Sequence, residues 1–142
     1  MNDHLTTVFD LMLARTHAAR DVDGPLGSLH GISLADLAIL RELREAPDGK
    51  LRRSELANRL GVTPSGIARQ LGPLERIGLV GRESHERDAR LALVVLTETG
   101  ARIAGEAMET AERAAERALR SRWTDAERDR LAKLLANVRD PR

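Results

Sequence analysis

Apolar residues recur at spacings of three and four along most of this chain, and one interval breaks that rhythm. Leu5, Val8, Phe9, Met12, Thr16 and Ala19 form a stripe that predicts an amphipathic helix over residues 3–20, closed by Asp23-Gly24-Pro25. Ser33 can cap a second helix carrying Leu37, Ile39, Leu40 and Leu43, and Ala46-Pro47-Asp48-Gly49 ends it in a turn. Leu56, Ala57 and Leu60 mark a third helix. Gly61 then turns the chain, and Thr63-Pro64 supplies an N-cap followed by proline at the first helical position. The next helix runs through Ile67, Leu71, Leu74 and Ile77, one buried stripe, and Gly78 suits a left-handed stop. The period then shortens to two. Residues 79–84 read as a strand, 85–90 as a charged turn and 91–96 as the returning strand. Thr97 caps a further helix over 100–122, with small apolar residues at Ala104, Met108, Ala111, Ala115 and Ala118. Thr124 and Glu127 then form a capping box ahead of Leu131, Leu134, Leu135 and Val138.

Helix, tight turn, helix and hairpin, in that order, predict a winged helix-turn-helix. Ala57 and Gly61 are small and Ile67 is β-branched, which lets the two central helices cross closely. The fold class is mainly α with a small β-hairpin wing, a winged helix-turn-helix core flanked by N- and C-terminal dimerisation helices. The face of the second helix opposite the stripe holds Ser65, Gly66, Arg69 and Gln70 beside a helix N-terminus, where backbone N–H groups attract phosphate and a recognition helix meets base edges. Gly72-Pro73 predicts an interruption and a bend in the second half of that helix.

The sequence is similar to the MarR family of bacterial transcriptional regulators. The blocks that carry the resemblance are SELANRLGVTPSGIARQLGPLERIGLVGRE over residues 54–83, Asp88-Ala89-Arg90 at the wing tip, and LTETG over 96–100. The resemblance covers nearly the whole chain. It implies one MarR-type domain over 1–142, with a DNA-binding lobe at 33–97 and helical dimerisation regions at 1–22 and 98–142. It implies a homodimer on double-stranded DNA, often a repressor released by a small aromatic or anionic effector. By that resemblance Arg90 enters the minor groove, oriented by Asp88, and Arg87 touches phosphate. Thr63, Ser65, Gly66, Arg69 and Gln70 then belong to the major-groove surface, with Arg52 and Arg53 as phosphate anchors.

Charge distribution sharpens the picture. The 142 residues carry a net charge of only +1, but residues 50–90 hold nine Lys/Arg against five Asp/Glu, so that segment stands at +4 and the remainder at −3. Phosphate neutralisation depends on such local contacts rather than on global charge. A mixed-charge solvated face is the plainer reading of the same residues.

Other chemistry finds little support. Cysteine is absent, which removes disulfides and thiol-based oxidation sensing. The histidines at 4, 17, 30 and 85 form no i, i+4 pair, so no metal is expected, and no nucleophile elbow, phosphate loop or paired-carboxylate pattern points to an enzyme or a cofactor. No apolar run reaches the ~18 residues of a membrane span and no signal peptide is evident, so a cytoplasmic protein is expected. His30, read as lying in the loop before the second helix, is the one ligand-binding candidate, with a capping or solvated role as its plain alternative. Trp123 reads as packing beside the last helix rather than as a ligand platform. Two other readings stay open: a winged-helix protein–protein interaction module without duplex binding, and a regulator that lacks an effector pocket.

Overall fold

The computed structural model describes residues 1–84, 87–88 and 91–140, so four positions of the expected turn, His85, Glu86, Ala89 and Arg90, lie outside the described residues. The elements in order are α1 (Asp3–His30), α2 (Leu34–Glu45), a short 3-10 turn at Pro47–Gly49, β1 (Lys50–Arg52), α3 (Arg53–Leu60), α4 (Pro64–Arg76), β2 (Val80–Glu83), β3 (Leu93–Leu96), α5 (Glu98–Leu119) and α6 (Asp125–Arg139). The architecture is mainly α with a small wing. All four caps expected from the sequence form. Ser33 and Asp36 exchange hydrogen bonds, as do Thr124 and Glu127, while Thr63 and Thr97 accept from the Gly66 and Gly100 amides.

The core is centred on Leu26, Ile39, Leu40, Leu43, Leu56, Ile67 and Leu74 of the helices, all fully buried, and is joined by Leu51, Val80 and Val94 of the sheet. Truncating any one of these leucines to alanine costs about 2–5 kcal/mol in cores of this kind. α5 packs against both α1 and α2, and its buried first-turn residue Gly100 lies against Leu79 at the base of the wing.

Several expectations need correction. Asp23-Gly24-Pro25 does not end the first helix: α1 continues through Pro25 to His30 and stops at Gly31, in the left-handed conformation with φ 68°. Pro25 removes one backbone donor at a cost of about 3 kcal/mol. Val22 and Leu26, one turn apart, are buried in the core and offset it, each stabilising by about 1.5–3 kcal/mol. The Asp23 carboxylate accepts from the Leu34 amide at 2.7 Å, which ties α1 to the start of α2. His30 is accordingly the last residue of α1, not a loop residue, and the first helical region extends well past residue 22.

Gly72-Pro73 likewise fails to interrupt α4, which is continuous from Pro64 to Arg76, because buried Leu71 and Leu74 flank the proline and hold the turn against the core. Ile77 leaves the stripe. It sits one residue beyond the helix at φ −90° and ψ 2°, and is 57% exposed. The returning strand begins at Leu93 rather than at residue 91, and the hairpin is completed into a three-stranded antiparallel sheet of order β1-β3-β2. β1 pairs Lys50 with Val95, Leu51 with Val94 and Arg52 with Leu93, filling the edge of β3 that a two-stranded hairpin would leave open.

The terminal helices are different. α6 has no buried residue, and Leu134, Leu135 and Val138 are exposed; so are Leu5, Val8, Phe9, Met12 and Leu13 on the N-terminal half of α1.

Candidate nucleic-acid interface

The start of α4 is built by one threonine. Thr63 Oγ1 accepts from the Gly66 amide at 3.0 Å and lies 3.3 Å from Ser65 Oγ, so the cap and its neighbour share a hydrogen-bonded edge. Pro64 at the first helical position has no amide to satisfy. A Cβ on Gly66 would approach Thr63 Oγ1 to 3.0 Å, so glycine there keeps the cap geometry. Thr63, Ser65 and Arg69 are exposed, with Ser65 and Arg69 on the face away from Ile67, Leu71 and Leu74, whereas half-buried Gly66 and Gln70 flank that stripe, Gln70 lying one turn from Ile67 and Leu74.

The sheet places the wing beside that face. Leu79 N–H donates to the Leu74 carbonyl at 3.0 Å and Gly78, at φ 79°, donates to Glu75, so the end of α4 and the start of β2 are joined by a tight hydrogen-bonded turn. Thr97 Oγ1 donates to the carbonyls of Gly78 and Leu79 at 2.7 and 3.0 Å, closing the wing's base against α5.

The cations of this region fall into two sets. Arg82 donates through Nε to Glu75 at 2.7 Å, Lys50 meets Glu83 at 2.7 Å across β3, Arg59 meets Glu42 at 3.4 Å, and Arg52 lies 3.9 Å from Glu55. The Glu83 hydrogen bond holds the Lys50 ammonium above the usual lysine pKa. Arg53, Arg69 and Arg76 have no ion-pair partner among the described residues. Sequence spacing did not show this division, since Glu75 and Arg82 are seven residues apart on different elements.

Of the remaining candidates, Arg87 is exposed and Asp88 half-buried at the wing, where Leu91 N–H donates to the Asp88 carbonyl at 3.0 Å; Arg90 lies outside the described residues. His30 is brought to α5, its Nε2 hydrogen-bonded at 2.8 Å to Thr110 Oγ1, which is itself buried. Thr110 was missed because it stands in an alanine-rich helix with nothing in its neighbourhood to mark it. Among the described residues no group of His, Cys, Asp and Glu is arranged to hold a metal ion, and no helix is long and apolar enough to cross a membrane. Trp123 is half-buried beside α6 and, with Leu119 and Arg128, lines an open cleft of about 530 Å³.

A capped, exposed helix face beside a three-stranded wing defines a winged helix-turn-helix protein. Residues 30–91 match the model described as MarR family. The whole chain superposes on a MarR variant from E. coli solved with operator DNA (TM-score 0.83, 26% identity, 96% of each chain covered). It superposes equally on a MarR family transcriptional regulator from Streptomyces coelicolor in complex with DNA (TM-score 0.84, 24% identity, 97% of this chain and 87% of that one). CouR from Rhodococcus jostii RHA1, bound to p-coumaroyl-CoA, shares the fold (TM-score 0.81, 22% identity, 95% and 92% covered). None of the curated proteins matches the chain. Residues 30–91 are thus similar to the MarR family of transcriptional regulators, and the chain as a whole has the winged helix-turn-helix fold of MarR structures.

Proposed function

We propose that the protein is a homodimeric repressor that binds a palindromic site in double-stranded DNA and leaves it when a small aromatic or anionic effector binds. The observation that carries this reading is the exposed, Thr63-capped face of α4 next to the wing, with Arg69 unpaired among the described residues. α4 enters the major groove, where Ser65, Arg69 and Gln70 meet base edges or nearby phosphates. Gly66 contributes close approach, since its amide is already used by Thr63. Arg52, Arg53 and Arg87 anchor phosphates, and Arg90, oriented by Asp88, reads the minor groove of the flanking sequence. The structures of two relatives with DNA, one of them 26% identical, support this assignment.

Residues 33–97 act as the reading head, and the helices on either side of it as the dimerisation region. Exposed apolar residues on the N-terminal half of α1 and on α6 support that division. The effector sits between the terminal helices and the reading head, where His30 meets Thr110. The ligand held by CouR supports a small-molecule input to this fold. The protein works in the cytoplasm and carries out no catalysis.

Titration against the duplex flanking its own coding sequence, and against a scrambled duplex, tests the reading. Tighter, salt-dependent binding to the first is expected. Absence of salt-dependent binding to either duplex would favour the protein-interaction module instead.

A further inference from the structure

Three basic residues of the reading head, Lys50, Arg59 and Arg82, lie within 3.4 Å of carboxylates, and one of the two shortest pairs joins the recognition helix to the wing. Glu75 lies in the last turn of α4 and its side chain is 26% exposed; Arg82 lies on β2 with its side chain 58% exposed, and Arg82 Nε donates to Glu75 Oε1 at 2.7 Å. The turn between them is short and hydrogen-bonded at Gly78 and Leu79, so the two groups face each other without a mobile linker. A charge-assisted bond of this length engages one of the five guanidinium N–H donors and fixes the direction of the side chain towards α4. Arg53 and Arg69, by contrast, present their charge unspent among the described residues.

From this division we infer that Glu75 is a specificity-determining positioning residue: its carboxylate holds Arg82 to α4 and keeps that guanidinium off DNA phosphates. The inference rests on the DNA-binding reading above. Phosphate contacts add affinity that is independent of sequence, at about 0.9 in the slope of log affinity against log salt per neutralised phosphate. A basic residue at the base of the wing that reached phosphate would raise binding to every duplex alike. Held by Glu75, Arg82 adds little to that background, and discrimination is left to contacts that read sequence. Arg82 is then a cation beside DNA that contributes no phosphate contact.

The test uses the full chain, a cognate duplex and a scrambled duplex, each titrated at several salt concentrations. Glu75→Gln should steepen the slope by about 0.9 on both duplexes and narrow the ratio between them severalfold, because the released Arg82 gains a phosphate. Arg82→Gln, at an exposed position, should leave the wild-type slope unchanged, and the double variant should return to the wild-type slope. Arg82→Gln flattening the slope by about 0.9 would overturn the inference, since Arg82 would then be a phosphate contact already; so would Glu75→Gln with an unaltered slope in a folded protein. Wild-type protein that binds neither duplex would overturn the DNA-binding reading itself, an outcome distinct from both.

Discussion

The carbonyl oxygen of Leu79 fills the space that a side chain on Gly100 would need. Gly100 is buried in the first turn of α5, and a Cβ there would overlap the Leu79 backbone and crowd Leu96. The absent side chain is what lets α5 begin directly on the wing's base, with Thr97 bonded to Gly78 and Leu79 one turn earlier. Gly100→Ala should therefore destabilise by about 1–3 kcal/mol despite alanine's better helix propensity. The melting temperature should fall by roughly 5–10 °C. An unchanged or raised value would show that α5 can shift to admit a methyl group.

The cap of the recognition helix gives a second prediction. Thr63→Ala removes the acceptor for the Gly66 amide and should cost about 1 kcal/mol. Thr63→Ser keeps the hydroxyl and should recover most of that loss. Denaturant titration of the three proteins measures it, and equal stability would mean that the cap contributes nothing.

The chain's local signals were the legible ones. Ser33, Thr63, Thr97 and Thr124 cap helices through partners three residues away, so their positions could be read from adjacent sequence. Pro25 and Pro73 misled because a proline's local cost is visible in sequence, whereas the compensating burial of Val22, Leu26, Leu71 and Leu74 is tertiary. β1 was not legible at all: Lys50-Leu51-Arg52 has no β-branched residue, and becomes a strand only because β3 offers it a free edge more than forty residues away. The candidate interface was legible as a set of residue types. Which of its cations are held by carboxylates was not, since the pairs join different elements.

Exposed apolar side chains on α1 and α6 predict an obligate dimer. Phe9 and Leu135 are 43% and 41% exposed in the isolated chain. Light scattering should report a dimer at micromolar concentration, with Phe9→Asp and Leu135→Asp shifting it towards monomer. A monomeric wild-type protein would contradict the account. In the dimer bound to DNA the two α4 helices should lie about 34 Å apart, one helical turn.

Arg69 and the wing should fail in different ways. Arg69→Ala should lower discrimination between cognate and scrambled duplex by about 1–3 kcal/mol through loss of a bidentate base contact. Arg90→Ala should weaken specific binding, Asp88→Ala should weaken it less, and the pair should not add, because one acts through the other. Additive losses in a double-variant titration would separate the two roles.

The central claim, that the reading head binds duplex DNA through phosphate contacts of its basic residues, is tested most directly by the salt dependence of Arg53→Gln beside wild type. Arg53 opens α3 and has no ion-pair partner among the described residues, so its loss disturbs no carboxylate. Wild-type affinity should fall linearly on a log–log plot against salt. Arg53→Gln should flatten that slope by about 0.9 and weaken cognate and scrambled duplexes by the same factor. Identical slopes for the two proteins, or affinity indifferent to salt, would contradict the account.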